Sequence, residues 1–286
     1  MAQDPVTKPY WVALAGPYGA YLAVFFVVPF ANVLVFSFST YTPFQIALPE
    51  FTFDNYLRVL DGFYIRIFLR TMKLGLYTTV ATAVLSYPVA YYLARSSQRA
   101  LTVGLFLLIT PLMVSTVIRV FGWIVILGRK GLVNETLVSL GLEPVGLLGT
   151  EGAVVIGLVQ LFMPFMVLPL IASIDRISTN IEESALNLGA NWYQMFARVI
   201  LPLSVPGLIS GCLLTYTLSI SAFVTPALLG GARVRMAGEQ IYEDVLASFN
   251  WPGGSALALV LVAITLAILF VALRATARRG RLEAGR

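Results

Sequence analysis

Glu183-Ser184-Ala185-Leu186-Asn187-Leu188-Gly189, followed after nine residues by Val199-Ile200-Leu201-Pro202, is a polar stretch inside an otherwise apolar chain. Thr179 and Glu182 have the spacing of a capping box that starts one helix, and Gly189 is a left-handed stop for it. Asn191 and Gln194 repeat the device, and Pro202 closes the second helix. Two short helices joined at Gly189-Ala190 are expected. A hydrophilic helix-turn-helix at this position is a docking surface for another protein.

The surroundings are greasy. Of 286 residues, 58% are hydrophobic and only 12% charged, and the mean hydropathy is +0.85. Such a composition belongs to an integral membrane protein. The single cysteine, Cys212, lies in an apolar stretch and cannot form an internal disulfide. Histidine is absent, which removes Ser-His, Cys-His and His-ligated zinc chemistry. No glycine loop ending in Gly-Lys-Ser/Thr is present to cradle phosphates. No cofactor is therefore expected in this chain, and if ATP drives it, another chain must bind the nucleotide. The pI of about 9.4 needs no nucleic acid to explain it.

About 20 apolar residues cross a bilayer, and six stretches qualify: 11–36, 67–94, 101–127, 152–174, 204–229 and 255–276. The expected fold is all-α, an integral membrane protein in which residues 1–286 form a single transmembrane domain with a polar loop at 175–203. Ala13-Leu14-Ala15, the one Ala-x-Ala triplet of the first stretch, sits at its start, whereas a signal-peptide cleavage site belongs at the end. That stretch reads as a retained span. An even number of spans puts both termini on one side. The tail carries Arg274, Arg278, Arg279, Arg281 and Arg286 and should be cytoplasmic by the positive-inside rule, as should Lys8 near the N-terminus. Segments 37–66, with Pro43 and Pro49, and 128–150 then lie outside with short surface helices, as does 230–254.

Polar residues inside spans face protein or a water-filled path. In the fifth stretch Tyr216, Ser219 and Phe223 share one helical face, and Thr217, Ser221 and Thr225 follow on the next. Tyr87 and Tyr91 offer aromatic faces, and Arg119 is the deepest charge. Tyr87, Tyr91, Arg119, Tyr216, Ser219, Ser221, Phe223 and Thr225 are the candidate substrate-pathway residues. Gly207-x-x-x-Gly211 permits close approach of another helix. Pro29, Pro88, Pro111, Pro164, Pro169 and Pro226 fall in spans and are candidate kinks. Lys73 is near enough to its span's end to snorkel.

The loop resembles the "EAA" loop of binding-protein-dependent ABC importer permeases: Glu-Ala-Ala, three residues, Gly, nine residues, Ile, any residue, Leu-Pro. Ser184 replaces the first Ala and Val199 the Ile. Ile118–Trp123 with Leu127–Gly131, Pro164–Leu170, Ala222–Gly231 and Asn250–Ala256 resemble the spermidine/putrescine-type subfamily. The resemblance runs from about residue 50 to 275. It implies a MetI-like permease fold with six transmembrane helices. The 175–203 loop would insert into a groove of a cytoplasmic ATPase through Glu182, Glu183, Ala185, Gly189, Trp192, Phe196, Leu201 and Pro202. It also implies a second, related permease subunit, two ATP-binding cassette subunits that bind ATP and Mg, a solute-binding protein, and a place in the bacterial inner membrane. The solute would be a polyamine or related small amine, an opine, an amino acid derivative or a phosphonate.

Two other classes fit the residues less well. An ion-coupled secondary transporter normally buries carboxylates, and none lies well inside a span. A membrane enzyme would need histidine or paired carboxylates.

Overall fold

The computed structural model describes residues 16–41 and 50–284. Lys8, Pro43, Pro49 and Arg286 lie outside the described residues, as do the side chains of Arg278, Arg279 and Arg281. In chain order the helices are α1 (Gly16–Ser37), α2 (Asp54–Val59), α3 (Gly62–Ala94), α4 (Gln98–Met113), α5 (Thr116–Leu127) and α6 (Leu132–Ser139). They continue with α7 (Glu151–Ile174), α8 (Thr179–Asn187), α9 (Trp192–Ile220), α10 (Ala237–Tyr242) and α11 (Trp251–Ala284). Among the described residues the β pairing is one isolated bridge, Ser39 to Phe51. The short helices expected in 37–66 and 128–150 are α2 and α6.

Four helices, α1, α7, α9 and residues 251–274 of α11, are long and apolar enough to cross a bilayer, and the bent pair after α3 makes a fifth candidate. Helix α3 is long enough, at 33 residues. Arg66, Arg70 and Lys73 together with its threonines and tyrosines make it less apolar than those. Two expectations need correction. The stretch 101–127 is not one helix: α4 and the helical segment after it are bent by 98°. Pro111 removes a backbone donor there, and Val114 adopts extended ψ, ending α4 two residues later. The stretch 204–229 stops at Ile220, and a π-turn, Pro226–Gly230, follows after a break. Pro88, Pro164 and Pro169 lie inside unbroken helices.

The described residues fall into two compact units, one within 1–64 and 241–266, the other within 65–240 and 267–286. In the first, the buried Asn55 amide donates to the carbonyls of Ser37 and Ser39 at 3.0 and 2.9 Å. Phe38 stacks on Phe51 and meets Phe53 edge-on. The Asn250 side chain accepts from the Gly253 N–H at 2.9 Å and so caps α11.

In the second unit α7 and α9 pack closely along each other. Small residues allow it: a Cβ on Gly207 would lie 2.5 Å from the Pro169 carbonyl oxygen, and one on Gly211 2.6 Å from the Met166 sulfur. Gly75 of α3 is pressed against Ile220 and Tyr216 in the same way. Thr71, Thr78, Thr79, Thr82 and Ser86 form a buried hydroxyl face on α3. Thr71, Thr79 and Thr82 return hydrogen bonds to carbonyls one turn back, which makes a polar face tolerable in an apolar setting. Leu74, Val120, Leu158, Phe162 and Leu229 form one apolar core cluster, and Tyr87, Leu93, Met166 and Leu170 another.

Candidate functional site

The polar hairpin is built largely from its own capping chemistry. Gly189 has φ of +87°, and the Ala190 N–H closes on the Ala185 carbonyl at 3.1 Å, ending α8. Asn191 and Gln194 form the expected reciprocal capping box at 2.8 and 3.1 Å. The other cap is not as expected. Ser178, rather than Thr179, caps α8, accepting from the Asn180 N–H at 3.3 Å. Glu182 is drawn elsewhere. Its Oε1 accepts from Arg95 Nε at 2.8 Å and Nη2 at 2.5 Å, and its Oε2 accepts from the Tyr91 phenol at 2.8 Å. Arg95 Nη2 also donates to the Ile177 carbonyl at 2.8 Å. Charge-assisted bonds to both carboxylate oxygens outcompete one neutral cap.

Pro202 does not close the second helix. Trp192 to Ile220 runs as one helix of 29 residues through a π-turn, Phe196–Ile200. A widened turn just ahead of a proline relieves the clash of its ring with the preceding turn, so the chain continues. The hairpin is therefore continuous with the body of α9.

Beneath it Ile177, Met195 and Ile200 are buried together with Tyr91, Ala185 and Phe196 packed on them. Trp192 stacks on Phe196 at 5.3 Å, and Phe196 meets the edges of Tyr87 and Tyr91 at 5.0 and 6.3 Å. Tyr87, Tyr91, Trp192, Phe196 and Leu201 contribute to a groove of about 570 Å³. Of the expected coupling residues, Glu182, Ala185, Phe196 and Leu201 thus face inward, while Glu183, Gly189 and Pro202 are exposed and Trp192 half-exposed. The tip is bare: Leu188 is 88% exposed and Tyr193 78%.

The expected pathway residues sit in several different surroundings. Tyr87 is buried and bonded to Ser204, and Tyr91 belongs to the hairpin contacts. Ser219 is buried with its hydroxyl on the Thr215 carbonyl at 2.6 Å. Tyr216 donates to the Met72 sulfur at 3.1 Å. Thr225 is buried against Gly157, whereas Ser221 and Phe223 are exposed at the break after α9. Arg119 Nη2 donates to Thr116 Oγ1 at 3.2 Å, and its Nη1 is buried with no hydrogen-bond partner among the described residues. Lys73 pairs with Glu151 at 2.7 Å instead of reaching away alone.

Sequence reasoning missed Arg95 and Ser204 as partners. Arg95 stands just after an apolar stretch, as Arg99 nearly does, and Arg176 and Arg198 lie far nearer Glu182 in the sequence. Nothing in spacing selects among them.

Apolar helices of bilayer length, joined to a polar hairpin tied at its base and bare at its tip, define a membrane-embedded chain with one exposed polar element. The chain belongs to the family described as binding-protein-dependent transport system inner membrane component, whose model matches residues 19–280. It is 36% identical over 258 residues to the spermidine/putrescine transport system permease protein PotB of Haemophilus influenzae, covering 90% of each chain. Identity to the protein of that name in Escherichia coli K12 is also 36%, over 90% of this chain and 94% of the other. The crystal structure of a bacterial alginate ABC transporter, in complex with an alginate pentasaccharide-bound periplasmic protein, contains a chain of the same fold. It superimposes with a TM-score of 0.74 at 19% identity, covering 94% of both chains. The protein is thus a multi-pass inner-membrane permease of an ABC importer, of a family that transports rather than catalyses.

Proposed function

We propose that this permease moves a polyamine or related small amine across the inner membrane, coupled through the α8–α9 hairpin to separate ATPase subunits that bind ATP and Mg. The observation that carries the coupling role is the hairpin's construction. Its base is fastened by Glu182, Arg95 and Tyr91 and its second helix continues into α9, while Leu188 and Tyr193 at the tip remain uncovered. A lever needs both features.

In this reading both termini and the hairpin are cytoplasmic and the chain has six spans, with α3 and the bent α4–α5 pair completing the set. A second, related permease subunit pairs with it, and an external binding protein delivers solute to the opposite face. Opines, amino acid derivatives and phosphonates are the alternative solutes. The amine assignment follows the relatives' names and fits the absence of a tight anionic pocket: no Asp or Glu falls inside the six apolar stretches. A cation would pass hydroxyls, carbonyls and aromatic faces, where contact is weak and release easy.

Gly189→Trp and Glu183→Arg should each leave the protein inserted while uptake in vesicles separates from ATP hydrolysis. Normal coupled uptake by both variants would reject the docking role. A thermal-shift screen of the cognate binding protein should single out a polyamine, and stabilisation by phosphonates alone would reject the amine.

A further inference from the structure

We infer that Arg95 is a positioning residue for transport: it fastens the hairpin to the C-terminal end of α3, so that movement imposed on α8 is delivered to α3 as well as to α9. The inference rests on the coupling role given to the hairpin above.

The covalent chain ties α8 to α7 on one side and to α9 on the other. Helix α3 has no such link, since Arg95 and Glu182 are far apart in sequence. Apolar packing alone lets neighbouring elements slide, whereas a planar guanidinium donating through several N–H groups to fixed acceptors holds distance and angle together. Arg95 donates from Nε and Nη2 to the one oxygen Oε1 of Glu182 and from Nη2 to the Ile177 carbonyl just ahead of α8, so one side chain holds both the helix and the chain entering it. Tyr91, one turn earlier on α3, takes the second carboxylate oxygen. The side chains of Arg95 and Glu182 are only 17% and 11% exposed, so water screens the pair poorly. Glu182 and Glu183, adjacent in sequence, differ in burial: Glu182 is buried against Arg95 and Tyr91, and Glu183 is exposed. The tie and the docking face are therefore separate parts of one short helix. Lysine at position 95 has no fork to engage Glu182 and Ile177 together, which predicts a graded rather than a silent loss.

The test uses the whole importer, with both permeases, the ATPase subunits and the binding protein, reconstituted in lipid vesicles. Solute taken up per ATP hydrolysed is measured for Arg95→Gln, Glu182→Gln, Arg95→Lys and the exchanged pair Arg95→Glu with Glu182→Arg. The two Gln variants should retain bound ATPase and hydrolysis but lose at least tenfold in solute moved per ATP. Arg95→Lys should fall between, and the exchanged pair should recover most of the loss, which also answers the objection that a single variant misfolds. Wild-type stoichiometry in both Gln variants overturns the inference. So does a loss of uptake and hydrolysis in equal proportion that the exchanged pair does not restore, since a merely structural contact behaves that way. Glu183→Arg, run alongside, separates the two readings. If it uncouples while Arg95→Gln does not, the tie fails and the docking role stands; if Glu183→Arg is silent as well, the docking role itself fails.

Discussion

The Tyr87 phenol and the Ser204 hydroxyl share a buried hydrogen bond that joins α3 to α9 just inside the hairpin. Ser204 also donates to the Leu201 carbonyl at 3.1 Å, so its single proton is already placed and the phenol is the donor to it. Together with Gly75 against Ile220 and Tyr216, this bond sets the antiparallel register of the two helices.

Removing either partner leaves the other wanting in an apolar setting. Tyr87→Phe and Ser204→Ala should each cost about 1–2 kcal/mol, and the double variant should cost less than their sum. Thermal unfolding of the purified permease in detergent measures this. Strict additivity would show that the hydroxyls do not interact.

The seam between α7 and α9 should tolerate no added volume. Gly207→Val would drive a side chain into the Pro169 carbonyl and Ser173, and Gly211→Val into Met166, each destabilising by about 1–3 kcal/mol or more. Gly122→Val, where no atom lies within 4 Å, is the control and should be neutral. The survival of monodisperse protein after a heat step separates them. Equal survival of Gly207→Val and Gly122→Val would contradict the packing.

At Gly189 nothing crowds a Cβ, so any penalty comes from its φ of +87° alone. Alanine there should cost about 1–2 kcal/mol, asparagine less. Amide hydrogen exchange across 179–195 should quicken several-fold in Gly189→Ala and less in Gly189→Asn. Unchanged exchange in the alanine variant would mean that the hairpin does not depend on the left-handed turn.

What the sequence disclosed about this hairpin was its local chemistry. The Asn191–Gln194 box and the Gly189 turn need only residues three or four apart, and both are present as read. Glu182 shows where such reading ends. Its spacing from Thr179 suits a cap, yet it is claimed by Arg95 and Tyr91, brought near only when α3 and α8 pack. Proline was equally ambiguous: Pro88, Pro164 and Pro169 leave their helices unbroken, whereas Pro111 precedes a 98° bend. Whether a lost donor breaks a helix depends on how neighbours satisfy the freed carbonyl, and that is tertiary information. Pro202 failed as a stop for the related reason that a π-turn made room for it.

The Lys73–Glu151 pair should behave unlike Arg95–Glu182. Its side chains are 44% and 35% exposed, and such pairs contribute about 0–1 kcal/mol. Lys73→Gln should shift the thermal midpoint little, and any shift should vanish in molar salt. A large, salt-independent loss would show that the pair is buried in the assembled transporter.

The central claim is that the hairpin is gripped by a cytoplasmic ATPase, and Leu188, 88% exposed at its tip, is the place to ask. A cysteine at Leu188 in a Cys212→Ser background should cross-link to the ATPase subunit in the assembled importer. In intact spheroplasts the same cysteine should resist a membrane-impermeant maleimide. Labelling from outside, or an assembled complex with no cross-link to the ATPase at any tip position, would contradict the account.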